Sequence, residues 1–335
     1  MPIAALITSV PFQRYRAIAS AIEGLADRNE DRQWLRLAAQ SAVLCPEEPA
    51  VIADAIRRHA NALHDQADWF QGLNSPARFA VAALLVQHHL PLAVLVAGFR
   101  RMAALLKSMG LPNRGLPVSM AVLLMHLAPD VRAVGLGDAR RLRSIYTCMR
   151  RFPWWVTGPA DLPLCAALAQ VPNTTEVVVA RAEDAYQQLL AAGLAPGGSL
   201  HTAACLLVMT GLPVDAGVAR YLALKRTLAV RGEARGVESY DDIAILALLD
   251  QRPEVVIDGL EAMVAGVRDA HPDIETAAAF TIACDLVFLD LQRLDRAGAP
   301  IVDAAVIRTR MDLVHAFHMA TAVVTSRAVF AKPSA

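Results

Sequence analysis

Several histidines and aspartates of the chain have the types and spacing that metal binding requires. Asp312, His315 and His318 lie in the segment RMDLVHAFHMA, where a spacing of three places neighbours on one side of a helix. His315 and His318 could share a transition metal with a carboxylate from another helix, such as Asp285 or Asp290. No HExxH or ExxH motif accompanies them. The sequence therefore favours no metal site and leaves these three residues as weak candidate ligands.

Three polar residues recur at intervals of forty residues and could together line a groove. They are Asp161, His201 and Asp241. The two aspartates also fall where short helices are predicted to begin, and the positive helix end stabilises a carboxylate in the first turn. In the segment SYDDIA, Asp242 is explained by capping, because Ser239 stands three residues before it. His126 lies alone in an apolar segment, which is typical of a core histidine. A structural role is favoured for all of them.

A cluster of basic and aromatic side chains is the other candidate for ligand contact. From residue 100 to 151 there are about ten Lys or Arg and about two Asp or Glu, whereas acids dominate from 238 to 303. Cations beside an indole ring can bind a flat or anionic ligand by charge and stacking. The cluster comprises Arg140, Arg141, Arg143, Arg150 and Arg151, followed by Trp154 and Trp155. The alternative is a solvated basic helix face, with both rings packed between neighbouring repeats.

No motif for covalent catalysis or nucleotide binding accompanies these residues. The chain has no GxSxG, no GxxxxGK[ST] and no GxGxxG motif after a predicted strand. No feature of the sequence implies a cofactor. The sequence thus leaves open whether any reaction is catalysed, and it favours a protein that is not an enzyme.

The composition defines the broad class of protein. Of the 335 residues, 55% are hydrophobic and 5% aromatic, and the formal net charge is zero. This mixture favours packed helices, and the lack of a basic surplus excludes a general nucleic-acid binder. Polar residues and Pro91 interrupt the longest apolar run, so no membrane span is predicted. The five isolated cysteines and the lack of a signal-like N-terminus predict a reduced, cytoplasmic protein.

An internal repeat of about forty residues organises the chain. Each repeat has a longer amphipathic segment, then a turn, then a short apolar segment, then a proline that is expected to end the short helix and open the next helix. Three of the longer segments end at Gly110, Gly193 and Gly232, as left-handed C-caps would. One buried position per short segment is expected to mark the period: Cys45, Leu85, Met125, Cys165, Cys205, Ile245 and Cys284.

The repeat predicts an all-α fold, namely an α-solenoid (α-α superhelix) of about seven helical hairpins. Neither helix of a hairpin can bury its apolar face alone, so neighbouring hairpins must stack. Residues 1–335 would form one helical-repeat domain, closed by a C-terminal capping helix over residues 301–330. The predicted units cover roughly residues 11–45, 46–90, 91–129, 130–171, 172–212, 213–252 and 253–292.

Two segments resemble an uncharacterised bacterial helical family, catalogued as domain of unknown function four thousand and three. The segment from Phe152 to Gln170 is similar to an FP…T…D…LAALLA pattern, and HAFHMATAVVTSRAV, from His315 to Val329, is similar to the family's C-terminal helix. The sequence departs from the pattern at Phe152, where a histidine is expected beside the proline. The resemblance covers most of the chain. It implies a bacterial, cytoplasmic protein and implies no reaction.

The sequence favours a binding or scaffold protein, because solenoids present long surfaces and no catalytic constellation is evident. The concave face would hold a protein segment or an apolar or anionic small molecule. The alternative is an enzyme, or a protein that sequesters a drug or metabolite, with its site in the solenoid interior; a deep cavity with converging polar groups would favour it. The basic middle and the acidic C-terminal third could also join copies into a homo-oligomer.

The two adjacent tryptophans provide a first test. Neighbouring residues in a turn rarely point the same way, so we expect one ring to pack between repeats and the other to be accessible. Trp154→Ala and Trp155→Ala should then differ. Loss of the packed ring should cost about 3–5 kcal/mol of unfolding free energy, and loss of the accessible ring should leave stability nearly unchanged. Denaturation midpoints measure this, and an equal, large loss in both variants would exclude an accessible ring.

Overall fold

The computed structural model of the chain describes residues 9–28, 30–65, 76, 78–113, 115–126, 134–152, 158–209, 212–232, 240–294 and 323. Within these ranges the chain forms fourteen α-helices and one 3-10 turn, Pro159–Asp161, and no strand. This confirms the all-α class. The terminal helix predicted over residues 301–330 lies outside the described residues, apart from the buried Val323.

The helices alternate between short and long along most of the chain. They are α1 (Val10–Gly24), α2 (Arg32–Ser41), α3 (Pro49–Asp65), α4 (Arg78–Gln87), α5 (Leu92–Ser108), α6 (Leu116–His126), α7 (Leu136–Met149), α8 (Leu162–Leu168), α9 (Thr175–Ala191), α10 (Gly198–Val208), α11 (Val214–Val230), α12 (Tyr240–Leu246), α13 (Pro253–Ala270) and α14 (Thr276–Leu291).

The short helices form the core. Every residue of α8 and α12 is buried, and so is α10 from Leu200 onward. The long helices α3, α5, α9, α11 and α13 bury one face and keep the other in solvent, as amphipathic helices do. The prediction of a buried position in every short segment is confirmed for all seven residues that mark the period: Cys45, Leu85, Met125, Cys165, Cys205, Ile245 and Cys284.

The contacts of the described residues group into two compact units. In one, formed by residues 17–179 and 323, short helices pack on short ones (α2 on α4, α6 on α8), and long helices pack on long ones (α3 on α5, α5 on α7). In the other, formed by residues 9–16 and 180–294, α10 packs on α12, α12 on α14, and α11 on α13. The same pairing rule therefore holds inside each unit.

The helix ends follow the predicted turn chemistry. Pro91 and Pro213 are the N-caps of α5 and α11, with φ of −63° and −53°, which the pyrrolidine ring fixes in advance. Gly110, Gly193 and Gly232 follow α5, α9 and α11 with φ of +70°, +88° and +77°. The left-handed glycine caps are thus confirmed. Two prolines expected to open helices, Pro46 and Pro172, instead lie three residues before the starts of α3 and α9.

No single helix in the described ranges is long and apolar enough to cross a membrane. The pair α4 and α5 reaches that length and composition only together, and a bend of 111° separates the two helices. Within the fold, α4 is largely buried and α5 buries one face.

A repeated arginine contact closes the helical repeats, and the sequence analysis did not foresee it. Arg141, on the long helix α7, donates from Nε to the carbonyl of Ala169 at 2.7 Å, and from Nη2 to the carbonyls of Val171 and Asn173 at 2.7 and 2.9 Å. These carbonyls follow the end of α8, in the connection that leads to α9. We call this contact the arginine clamp.

The arginine clamp recurs with the period of the repeat. Arg101, Arg181 and Arg220 lie forty, forty and seventy-nine residues from Arg141. Arg101 donates to the carbonyl of Val134, in the connection after α6, and Arg181 to that of Leu212, after α10. Arg220 donates to the carbonyl of Leu249 and to the carboxylate of Asp250, after α12. In four successive repeats a long helix therefore bonds the connection that follows the next short helix.

Replacement of Arg141 tests the energetic weight of the clamp. Arg141→Ala removes three charge-assisted hydrogen bonds from part-buried carbonyls, and we expect a loss of about 2–3 kcal/mol in unfolding free energy. Arg140→Ala is the matched control, because Arg140 is the exposed neighbour on α7, and it should change stability by no more than about 0.5 kcal/mol. Urea denaturation of both variants measures the difference. Equal stabilities would show that the clamp contributes nothing.

Candidate functional site

The predicted basic cluster is largely exposed, with one exception. Arg140, Arg143, Arg150 and Arg151 lie on the solvent side of α7 and just beyond its end, and the Arg150 guanidinium lies 6.0 Å from the centre of the Tyr146 ring. Arg141 is half-buried, and it donates to backbone carbonyls between α8 and α9. It therefore holds this connection and does not contribute to an anion site. Trp154 and Trp155 lie outside the described residues.

His126 is a packing residue at the end of α6. Its Nδ1 lies 2.8 Å from the carbonyl oxygen of Val122, which can only accept, so Nδ1 donates. Its Cε1 would come within 2.2 Å of a Cβ added to Gly98, so the ring rests directly on the backbone of α5. Burial lowers the pKa of His126, which keeps the ring neutral. The interpretation as a structural histidine fits these contacts.

The three residues of the predicted polar ladder have different surroundings. Asp161 accepts a hydrogen bond from the backbone N–H of Gly158 at 3.0 Å and so caps the 3-10 turn. His201 lies in α10 and is 7% exposed, and Asp241 lies in the first turn of α12 and is 8% exposed. The capping role is thus observed for Asp161, while His201 and Asp241 are buried polar residues.

The weak metal candidates Asp312, His315 and His318 lie outside the described residues. In the part of the chain that the structure describes, no group of three His, Cys, Asp or Glu side chains has the geometry of a metal site. Asp285 and Asp290, named as possible additional ligands, are both on α14.

A pair of buried carboxyls in α12 and α14 went unrecognised in the sequence. Asp242 and Asp285 are 4% and 2% exposed. Thr281 donates from Oγ1 to Oδ2 of Asp242 at 3.3 Å, and Asp285 follows Thr281 by one helical turn on the same face of α14. Among the described residues, Oδ1 of Asp242 and Oδ1 of Asp285 have no hydrogen-bond partner. We refer to Asp242, Thr281 and Asp285 as the carboxyl cluster.

Burial favours the protonated form of both carboxyls in the carboxyl cluster. Burial, together with the charge of Asp241, raises the pKa of Asp242 to about 8. Burial also raises the pKa of Asp285 well above its ordinary value, and the neighbouring Asp242 adds to the effect. The only sequence signal for Asp285 was a lone acid in the otherwise apolar run TIACDLVFL. For Asp242 the predicted capping partner, Ser239, lies outside the described residues, and the sequence did not show that the side chain contacts α14.

A cleft of about 330 Å³ opens between α3 and the end of α4. Its walls are apolar, and three polar side chains stand among them: Glu47, His59 and His89. The apolar walls are Val51, Ile52 and Ala55 of α3, Leu85 and Val86 of α4, and Leu90 and Pro91. Nδ1 of His59 lies 2.9 Å from the carbonyl oxygen of Ala55 and therefore donates to it. We call this feature the α3–α4 cleft.

A second, smaller cleft of about 170 Å³ lies beside α13. Its two charged side chains, Glu261 and Arg268, already bond inside the fold, to Arg231 and Thr276 respectively. It is also about half the volume of the α3–α4 cleft.

The comparisons with known proteins identify a family. A family model described as "Protein of unknown function (DUF4003)" matches residues 50–309, which is most of the chain. The chain belongs to this family. No curated protein and no solved structure matches the chain. The DUF4003 match spans most of the α3–α4 cleft, including His59 and His89, and the whole carboxyl cluster.

Asp242→Asn tests the proton held by the carboxyl cluster. A carboxyl whose pKa is about 8 when folded and near 4 when unfolded makes stability fall as pH rises between these values. The asparagine variant should therefore match the wild type near pH 4 and exceed it at pH 8. The difference should grow by about 1 kcal/mol per pH unit.

The matched control for this experiment is Asp65→Asn, because Asp65 is exposed at the end of α3. Urea denaturation of the three proteins from pH 4 to pH 8 gives the slopes. If Asp242→Asn leaves the pH dependence of stability unchanged, the folded protein does not hold that proton.

Proposed function

We propose that the protein is a small-molecule binding protein built on a helical-repeat scaffold, and that its ligand occupies the α3–α4 cleft. The observation that carries the proposal is the cleft itself, which combines about 330 Å³ of space with apolar walls and three polar side chains. Ligand sites in proteins have this composition and begin at about 300 Å³. The ligand would therefore be a small molecule held within one repeat, rather than a protein segment that extends along many repeats.

The burial of the short helices supports a cleft rather than a concave groove as the site. A groove along the short helices would need side chains that a ligand can reach, yet α8 and α12 expose none of their residues. The scaffold that we propose remains an α-solenoid of about seven hairpins with a C-terminal capping helix. The recurring arginine clamp supports it, because the contact repeats at nearly constant spacing through four repeats.

The proposed location and self-association rest on thiol chemistry and charge. All five cysteines are free, and four of them are buried, as suits a reducing cytoplasm. The exposed arginines of α7 face solvent, and so do acids at the N-terminus of α13 and beyond its end, such as Glu254, Asp273 and Glu275. Opposite surface charges of this kind support a homo-oligomer in which the α7 arginines of one copy contact these acids of another.

The alternative, an enzyme or sequestering protein with an interior site, is favoured by the carboxyl cluster. Protonated carboxyls can donate protons as well as hydrogen bonds, and strongly raised pKa values are common in active sites. Yet Asp242 and Asp285 are at most 4% exposed, so a reactant would have to open the packing of α12 and α14 to reach them. We therefore place this alternative second.

A thermal-shift screen decides between the two sites. We expect some small aromatic molecules to raise the melting temperature of the wild type and to lose this effect on Ala55→Trp, which fills the α3–α4 cleft. The matched control is Ala104→Trp, because Ala104 is exposed on α5, and it should keep the response. A response that survives Ala55→Trp but is lost on Asp285→Asn would place the ligand at the carboxyl cluster instead.

A further inference from the structure

His89 adopts a backbone conformation that favours glycine. Its φ is +47°, in the left-handed region, just after the end of α4. The backbone N–H of Leu90 donates to the carbonyl of Leu85 at 2.9 Å, and that of His89 to the carbonyl of Val86 at 3.1 Å. These two bonds define a Schellman cap with His89 at its left-handed position. In caps of the same type after the long helices α5 and α9, that position is held by Gly110 and Gly193.

A side chain at this position costs folding free energy, because Cβ crowds the backbone in the left-handed region. The same side chain lines the α3–α4 cleft and is exposed to solvent. Strained residues that persist in a fold are concentrated at sites of function. The imidazole at the mouth of the cleft thus occupies a left-handed position, where glycine alone avoids the steric cost.

The other polar groups of the cleft are acceptors. Because Nδ1 of His59 donates to the Ala55 carbonyl, the neutral ring presents the lone pair of Nε2. Glu47 brings a carboxylate, one oxygen of which, Oε2, is shielded from solvent. No Lys or Arg lies among the residues that line the cleft. A ligand that complements this set has an apolar body and a positively charged hydrogen-bond donor.

We propose, on the basis of the proposed small-molecule function, that the α3–α4 cleft binds an amine with a small apolar body. The ammonium group lies against the carboxylate of Glu47 and donates to Nε2 of His59. His89 closes the mouth over the apolar body and determines specificity. A carboxylate out of solvent contact strengthens its attraction for a cation, since the local dielectric constant is lower than that of water.

Three matched probes test the charge of the ligand: 2-phenylethylamine, 2-phenylethanol and 3-phenylpropanoate. Calorimetric titration of the full chain should give the highest affinity for the amine, by about tenfold over the alcohol, and the lowest for the acid. Glu47→Gln should remove this preference and leave the affinity for the alcohol unchanged. Glu48→Gln, a change at the neighbouring exposed acid, is the control and should preserve it.

His89→Gly separates a role in binding from a role in folding. Glycine relieves the left-handed strain, so the melting temperature should rise by a few degrees, while the affinity for 2-phenylethylamine should fall. A gain in stability with unchanged affinity would show that His89 does not contact the ligand. A loss of stability would overturn the strain argument.

The outcomes distinguish this inference from the proposed function. If the alcohol or the acid binds as well as the amine, and Ala55→Trp abolishes that binding, the amine proposal fails and the cleft remains a ligand site. If the amine binds equally well to the wild type and to Ala55→Trp, the cleft is not its site. If none of the probes binds up to its solubility limit, the amine proposal fails, and the wider screen decides the proposed function separately.

Discussion

The last carbonyl groups of a helix have no partner inside that helix, and this constraint is most severe for the short buried helices of the chain. Helices α8 and α12 have seven residues each, so the carbonyls of the last turn are a large part of their backbone. In α8 these carbonyls accept from the residues that follow, as Cys165 does from the N–H of Ala169 and Leu168 from that of Val171. The arginine of the preceding long helix then supplies donors to the carbonyls just beyond the helix, as Arg141 does to Ala169. One side chain therefore fixes the long helix of a repeat to the chain that leaves its short helix.

The same burial governs the polar residues of the short helices. A charged side chain among apolar neighbours is costly unless it is paired, and a carboxyl avoids the cost by keeping its proton. Asp242 and Asp285 are in this position, and Thr281 satisfies one oxygen of Asp242. Because the short helices are buried, a ligand cannot reach them from the side either. The end of α4 is different, because the chain turns there toward the surface, and the α3–α4 cleft forms at that corner.

The helical class, the buried positions and the helix ends could be predicted from the sequence, because each depends on local chemistry. Apolar periodicity placed Cys165, Cys205 and Ile245 in the core, and Gly110 could only serve as a left-handed cap. The arginine clamp could not be predicted, although its arginines share the period of the repeat. An arginine that faces solvent and one that bonds a backbone carbonyl about thirty residues away have the same appearance in a sequence. The pairing of Asp242 with α14 was hidden for the same reason. Both depend on which helices become neighbours, and that is decided by packing.

The backbone conformation of His89 is informative, because a residue other than glycine pays a steric cost in the left-handed region. A residue that persists there in spite of this cost is a candidate for a role in function. The Schellman caps after the long helices α5 and α9 have glycine at the left-handed position. After α4 the residue is His89, which meets it at a cost in backbone strain and places an imidazole at the mouth of the cleft. The arginine clamps and glycine caps maintain the scaffold, whereas the strained residue after α4 does not, and it lies where a binding site would require a side chain.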